Sequence, residues 1–201
     1  MAKRLIVIAS GSTERNALPC LLRHLDVQRV RLVDVRIPAR NRRLTPRQAN
    51  RILRAAWFEM RGRGEPPDKF VVLIDADSQP VDAARAYFGD LANWTRDIEA
   101  PVLLAVAKWH LEAWFFADDN GLRTFLGRSV GHVNPSIPDE IQNPKHHLKQ
   151  LLSEPYTARM AGAIAQRLSP DIIRSRSPSF AQFEQAALNG ALASGRTSRG
   201  A

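Results

Sequence analysis

The chain has 201 residues, 44% of them hydrophobic, enough for one globular domain with a real core and a small appendage. Its formal net charge of +9 and sequence pI of 10.7 favour a polyanionic partner such as nucleic acid, although Arg so outnumbers Lys that an Arg-rich composition explains part of the excess. The only cysteine, Cys20, excludes an internal disulfide and a cysteine-rich zinc site, and its leucine neighbours mark it as a core thiol. No apolar run is long enough to span a bilayer, and Leu5 to Ala9 is too short for a signal peptide, so a cytoplasmic protein is expected.

Leu5 to Ala9 reads as a buried strand running into the turn Ser10-Gly11-Ser12-Thr13. Ser12 or Thr13 is placed to cap a helix from Glu14 to about Leu25. Val30 to Ile37 alternates apolar with polar residues and predicts a second strand. After a basic loop, Thr45 and Pro46 open a helix to about Arg61. Phe70 to Asp75 is the strongest buried strand, Val81 to Thr95 is helical, Val102 to Ala107 is a fourth strand, and Trp109 to Asp118 reads as a helix. Strands alternating with helices predict an α/β fold with a mainly parallel sheet. Residues 1–126 form this core. Residues 127–188 form a loop, 127–143, followed by short helices over Pro144 to Leu152, Thr157 to Leu168 and Ser179 to Leu188, packed on the core. The Gly/Ser/Arg-rich tail, 189–201, is expected to be disordered.

Asp75 and Asp77 are two residues apart at the end of the strongest strand. In extended backbone they point to one side, at the edge where open α/β sheets bind ligands. Two carboxylates there repel unless a cation sits between them, and hard oxygen donors suit Mg²⁺ or Mn²⁺. Asp-Ala-Asp-Ser is equally good turn chemistry. Glu14 follows the first strand and Glu112 the fourth, so a parallel sheet would bring both to the same edge. Each also has an ordinary explanation: a first-turn acid complements the helix dipole, and Glu112 could pair with Lys108. Together the four acids suit metal-assisted attack on a phosphodiester, with Glu14 as the general base.

A stripe of Arg47, Arg51, Arg54 and Arg61 runs along the predicted 46–61 helix, opposite an apolar face of Ala49, Leu53, Ala56, Trp57 and Met60. Arg40, Arg42 and Arg43 precede it. This set can track phosphates, and a solvated helix face explains it nearly as well. Lys145, at the start of a later helix, could also touch a phosphate.

These residues resemble known motifs. Ala9-Ser10-Gly11-Ser12-Thr13-Glu14, with Leu18-Pro19 and Leu21-Leu22, is similar to the opening V-E-G-x-T-E motif of TOPRIM-like proteins. Asp75-Ala76-Asp77 is similar to their D-x-D motif. Glu112-Ala113-Trp114-Phe115-Phe116-Ala117-Asp118 resembles the E-A-W-L-L-A-D signature of the bacterial family called domain of unknown function 4276. Asn143-Pro144-Lys145 with Leu148, and Ser177-Pro178-Ser179-Phe180, fit its C-terminal part. The resemblance covers residues 4–188. It implies a TOPRIM-like fold, Mg²⁺-dependent phosphodiester chemistry as in the nuclease domains of OLD-family proteins, and a role in phage defence beside an ATPase partner. Ser10 stands where the motif has its first glutamate; Glu14 matches the second.

Two other functions fit parts of the sequence. Ser10 favours a catalytically silent nucleic-acid-binding or regulatory subunit. Val71 to Ser78 with Pro80 resembles the metal-binding strand of nucleotide-sugar glycosyltransferases, but no later Q-x-x-R-W appears. A haloacid-dehalogenase phosphatase should carry Thr or Val where Gln79 stands.

Overall fold

The computed structural model describes residues 1–39, 44–127 and 137–188. Four strands, β1 (Lys3–Ile8), β2 (Val30–Arg36), β3 (Lys69–Asp75) and β4 (Val102–Ala107), form one sheet in the order β2-β1-β3-β4. All three pairings are parallel. The strand expected over 102–107 has those bounds, and the one expected over 70–75 begins one residue earlier, at Lys69; both runs are almost wholly apolar.

Side-chain alternation splits the core in two. Leu5, Val7, Val71, Leu73, Ala105 and Ala107 face one layer. Ile6, Ile8, Phe70, Val72, Ile74 and Val106 face the other. The first layer holds α1 (Ser12–Leu21), α5 (Glu112–Phe115), α8 (Ala158–Arg167) and α10 (Pro178–Leu188). The second holds α2 (Pro46–Gly62), α3 (Val81–Tyr87) and α4 (Leu91–Trp94). The C-terminal helices are integral to the first layer: α8 packs on α1, and α10 lies against β4 and β3.

Several local expectations change. The first helix starts at Ser12 and ends at Leu21, and Gly11 is its N-cap with no side-chain cap bond. Ser12 and Thr13 are therefore inside the helix. Residues Arg23–Gln28 form a 3₁₀ turn instead of continuing it; Pro19, which has no N–H to donate, lies within the last turn. The single helix expected over 81–95 breaks at Phe88–Asp90 into α3 and α4. The helix expected over 109–118 shortens to α5, and α6 (Asp119–Leu126) follows at once. A 3₁₀ turn, Pro138–Glu140, and α7 (Pro144–Leu151) come next, and α9 (Pro170–Arg176) was not anticipated. The α2 helix starts as expected: Thr45 Oγ1 accepts from Gln48 N, and the Gln48 side chain accepts from Thr45 N, a complete capping box. Cys20 is half-buried against the first layer. Arg40, Arg42, Arg43 and the 189–201 tail lie outside the described residues.

Candidate functional site

The chain leaves β1 into the first layer and leaves β2 into the second, so the direction of winding reverses between the neighbours β1 and β3. Crevices at such switch points, outside the C-terminal strand ends, are where open parallel sheets bind ligands. Ser10 and Glu14 follow β1, Asp75 ends β3, and Asp77 lies just beyond. Glu112 opens α5 five residues after β4 ends at Ala107.

The structure brings these acids together. Glu14 is 5% and Glu112 is 2% exposed. Burial pushes the Asp75 carboxyl well above its ordinary range, and the negative charges of Glu14, Glu112 and Asp77 push it further. The Ser10 hydroxyl beside the Asp75 carboxylate acts in the opposite direction. Glu14 is raised too, chiefly by burial and then by Glu112, while its backbone surroundings and the Lys145 ammonium hold it back. Mutual repulsion among buried carboxylates makes such a site cation-seeking.

Asp77 reaches the site differently from the expected extended geometry. Its φ of 52° is left-handed, and Gln79 N donates to Ala76 O at 2.9 Å. The segment is a turn, as the Asp-Ala-Asp-Ser chemistry allowed. Asp77 N donates to Trp109 O at 3.3 Å, which carries the turn toward the end of β4. There Asp77 Oδ1 meets His110 Nε2 at 2.8 Å.

Glu112 pairs with Lys145, at 3.8 Å from Oε1 to Nζ, and not with Lys108. Lys145 also lies 5.9 Å from the centre of the Tyr156 ring. The Tyr156 phenol is raised by burial and by the adjacent Glu112 charge. Neither Glu112 Oε1 nor the Tyr156 hydroxyl has a hydrogen-bond partner among the described residues. His110 and Tyr156 had no role in the sequence reading. The only signal for His110 was its place just past a strand end; Tyr156 had none.

Three other acids are buried, and each is satisfied. Asp139 accepts from Ser177 Oγ at 2.6 Å, Ser179 N at 2.7 Å and Ser179 Oγ at 3.0 Å. Asp118 accepts from Gly121 N at 3.0 Å and Ser169 N at 2.8 Å. Glu184 is held by His24 and Arg174. Asp118, the last residue of the E-A-W-F-F-A-D segment, is thus a helix cap and a tie to Ser169. Buried carboxylates are normally matched this way, and Glu112, whose Oε1 has the Lys145 ion pair but no hydrogen bond, departs from the rule.

The donors fit a hard divalent cation in type, since all are carboxylate oxygens. Among the described residues, however, no three His, Cys, Asp or Glu side chains close around one point as a ready-made cage. Mg²⁺ is commonly held by one or two carboxylates with waters and substrate phosphate completing its shell. The acidic edge fits that open kind of site.

On α2, Arg47 and Arg51 are exposed, as the stripe predicts. Arg54 is tied to Asp97 at 2.6 Å and Arg61 to Glu99 at 3.5 Å, so part of the stripe is spent on ion pairs. Ala49, Leu53, Ala56 and Trp57 form the buried face. No helix of the described residues is long and apolar enough to cross a membrane.

Comparison with curated proteins and with solved structures returned no match. A family model, described as a domain of unknown function (DUF4276), matches residues 10–186. That span runs from Ser10 at the end of β1 through the acidic edge to α10, and the chain belongs to this family.

Proposed function

We propose that the acidic edge is a Mg²⁺- or Mn²⁺-dependent site that cleaves phosphodiester bonds in nucleic acid, on a TOPRIM-like fold. The observation that carries this reading is the meeting of Glu14, Asp75 and Glu112 beyond the ends of three parallel strands, where burial and then the charges of Glu14 and Glu112 raise Asp75. Asp75, Asp77, Glu112 and Glu14 would hold the ion. When bound, the ion would activate a water and offset charge on the phosphate. Glu14 is the general base in this scheme, and Lys145 and the exposed Arg47 and Arg51 attract the phosphate backbone. The TOPRIM-like resemblance adds phage defence beside an ATPase partner as the setting.

The test is cleavage of labelled DNA and RNA with Mg²⁺ or Mn²⁺, alone and with a purified ATPase partner. Cleavage by wild type that falls to background in Asp75→Ala/Asp77→Ala and in Glu112→Ala is expected. Metal-independent cutting, or cutting that survives both variants, would refute it.

A second reading, a catalytically silent nucleic-acid-binding subunit, is favoured by one observation. Ser10 stands where the resemblance expects an acid, and it eases the charge on Asp75 instead of adding a ligand. It predicts strand binding without cutting in the same assay.

A further inference from the structure

A second feature adjoins the acidic edge. His110, Asn143, Lys145, His146 and Lys149 line an open cleft of 520 Å³. Among the described residues, no acidic side chain lines it. Two of them also touch the acids: His110 contacts Asp77 at 2.8 Å and Lys145 contacts Glu112 at 3.8 Å. The cleft therefore adjoins the carboxylates, with His110 and Lys145 between the two. On α7, Pro144 and Leu148 are buried while His146 and Lys149 are exposed, so the helix turns its cationic side outward. Lys145 and Lys149 are one helical turn apart, roughly 5–6 Å between Cβ atoms, so they can contact successive groups of one extended anion.

The other flank of the acids is basic as well. Leu44 lines a small cavity of 90 Å³ with Ser10, Asp75 and Asp77. The N-terminus of α2, two residues on, is thus beside the acids, and Arg47 and Arg51 are exposed in its first turns. The α2 helix belongs to the second layer, whereas α7 is anchored through Leu148 in the first. The acids consequently lie between two basic surfaces on opposite faces of the sheet. A free phosphate would meet only one of them. A strand with charges at regular intervals meets both.

We propose that the α7 cleft is a phosphodiester-binding site that holds one nucleic-acid strand as it crosses the sheet edge, with Arg47 and Arg51 holding the same strand on the far side. This rests on the nucleic-acid reading above and adds to it a strand path and the residues His146 and Lys149. Binding here is sequence-tolerant and salt-dependent, because its contacts are to the backbone.

The test is fluorescence anisotropy with labelled single-stranded DNA and matched RNA, in chelator, so that cleavage plays no part. Lys149→Gln/His146→Gln should weaken binding by about tenfold and lower the salt slope by about 1–2. Adding Arg47→Gln/Arg51→Gln should weaken long oligonucleotides further, with little effect on short ones that cannot span the edge. Arg96→Gln is the control, since that guanidinium is occupied with Asn93 at 2.8 Å. Circular dichroism melts of each variant establish folding. Unchanged affinity and salt slope in the folded cleft variant would overturn the proposal, as would equal competition by polyglutamate, which would show a site for any polyanion. No cleavage by wild type in either metal, together with cleft-dependent binding, would refute the nuclease reading and leave the cleft standing.

Discussion

Trp114 Nε1 donates to Ser179 Oγ at 2.8 Å, joining residues 65 positions apart. Trp114 is fully buried and packs against Phe180 and Phe183, with ring centroids at 5.1 Å and 5.4 Å. Ser179 in turn is fixed by Asp139. The E-A-W segment and the Ser-Pro-Ser segment thus form one unit, and that unit anchors α5, whose first residue is Glu112. Ser179→Ala would leave the indole N–H buried without an acceptor, at a cost of about 1–3 kcal/mol. Urea denaturation should show that loss in the midpoint with an unchanged slope. Trp114→Phe removes the donor along with the bond and should cost less per lost hydrogen bond, so Ser179→Ala in a Trp114→Phe background should be milder than in wild type. Additive effects would show that this bond does not couple the two segments.

The raised carboxyls give stability a definite pH dependence. A carboxyl whose folded value lies above its unfolded one keeps its proton longer in the native state. Its charge therefore costs nothing below the unfolded value, near the ordinary 3.8 of Asp and 4.5 of Glu. The cost grows as pH rises toward the folded value and stays constant above it. Asp75 and Glu14 are both of this kind. Asp75→Asn should then raise the melting temperature at neutral pH by roughly 2–4 °C for each kcal/mol relieved, and change it little near pH 4. Melts of both proteins across that range would show the difference closing toward acid. An equal shift at every pH would contradict the buried, crowded charge of Asp75 as the cause.

A divalent cation should relieve the same repulsion. Mg²⁺ or Mn²⁺ at about 100 times its dissociation constant would stabilise the native state by about 2.7 kcal/mol. The gain should be large in wild type at neutral pH and much smaller in Asp75→Asn and Glu112→Gln. It should shrink in acid, where protons compete for the carboxylates. Differential scanning calorimetry with and without metal measures this directly. A gain that persists in both variants would place the ion elsewhere.

The parts that were legible in the sequence carried local signals. Thr45, Pro46 and Gln48 mark the start of α2 by capping chemistry alone. Phe70 to Asp75 and Val102 to Ala107 are too short and too apolar to be surface helices. Their parallel pairing then places Glu14, Asp75 and Glu112 at one edge. Residues Leu111 to Asp118 misled because every one is buried. With no polar face there is no helical period to show where α5 stops and α6 begins. Ser169-Pro170-Asp171 did contain a start signal for α9, a Pro at the first helical position followed by an acid. The contacts Lys145–Glu112, His110–Asp77 and Tyr156 beside Glu112 join residues separated by more than 30 positions. The Lys145 and Tyr156 contacts exist only once α7 and the chain before α8 have packed, and the His110–Asp77 contact only once β3 and β4 have paired, so no local pattern encodes them.

Ser10 gives the sharpest test of whether the edge is complete. Its hydroxyl lies beside Asp75, and both line the small cavity with Asp77. Ser10→Glu would put another carboxylate where the resemblance expects one. Without metal, this adds a like charge to a site where burial and then repulsion already disfavour charge, so the variant should melt below wild type at neutral pH and close to it in acid. With Mn²⁺ the same carboxylate becomes an extra ligand, and the metal-induced rise in melting temperature should exceed that of wild type. Titration calorimetry should then report tighter Mn²⁺ binding. If cleavage also appears or increases, the missing acid limits activity in this chain. If metal binding is unchanged or weaker, Ser10 is not at the ligand position, and the ion is held by the strand-end carboxylates of β3 and β4 without help from the end of β1.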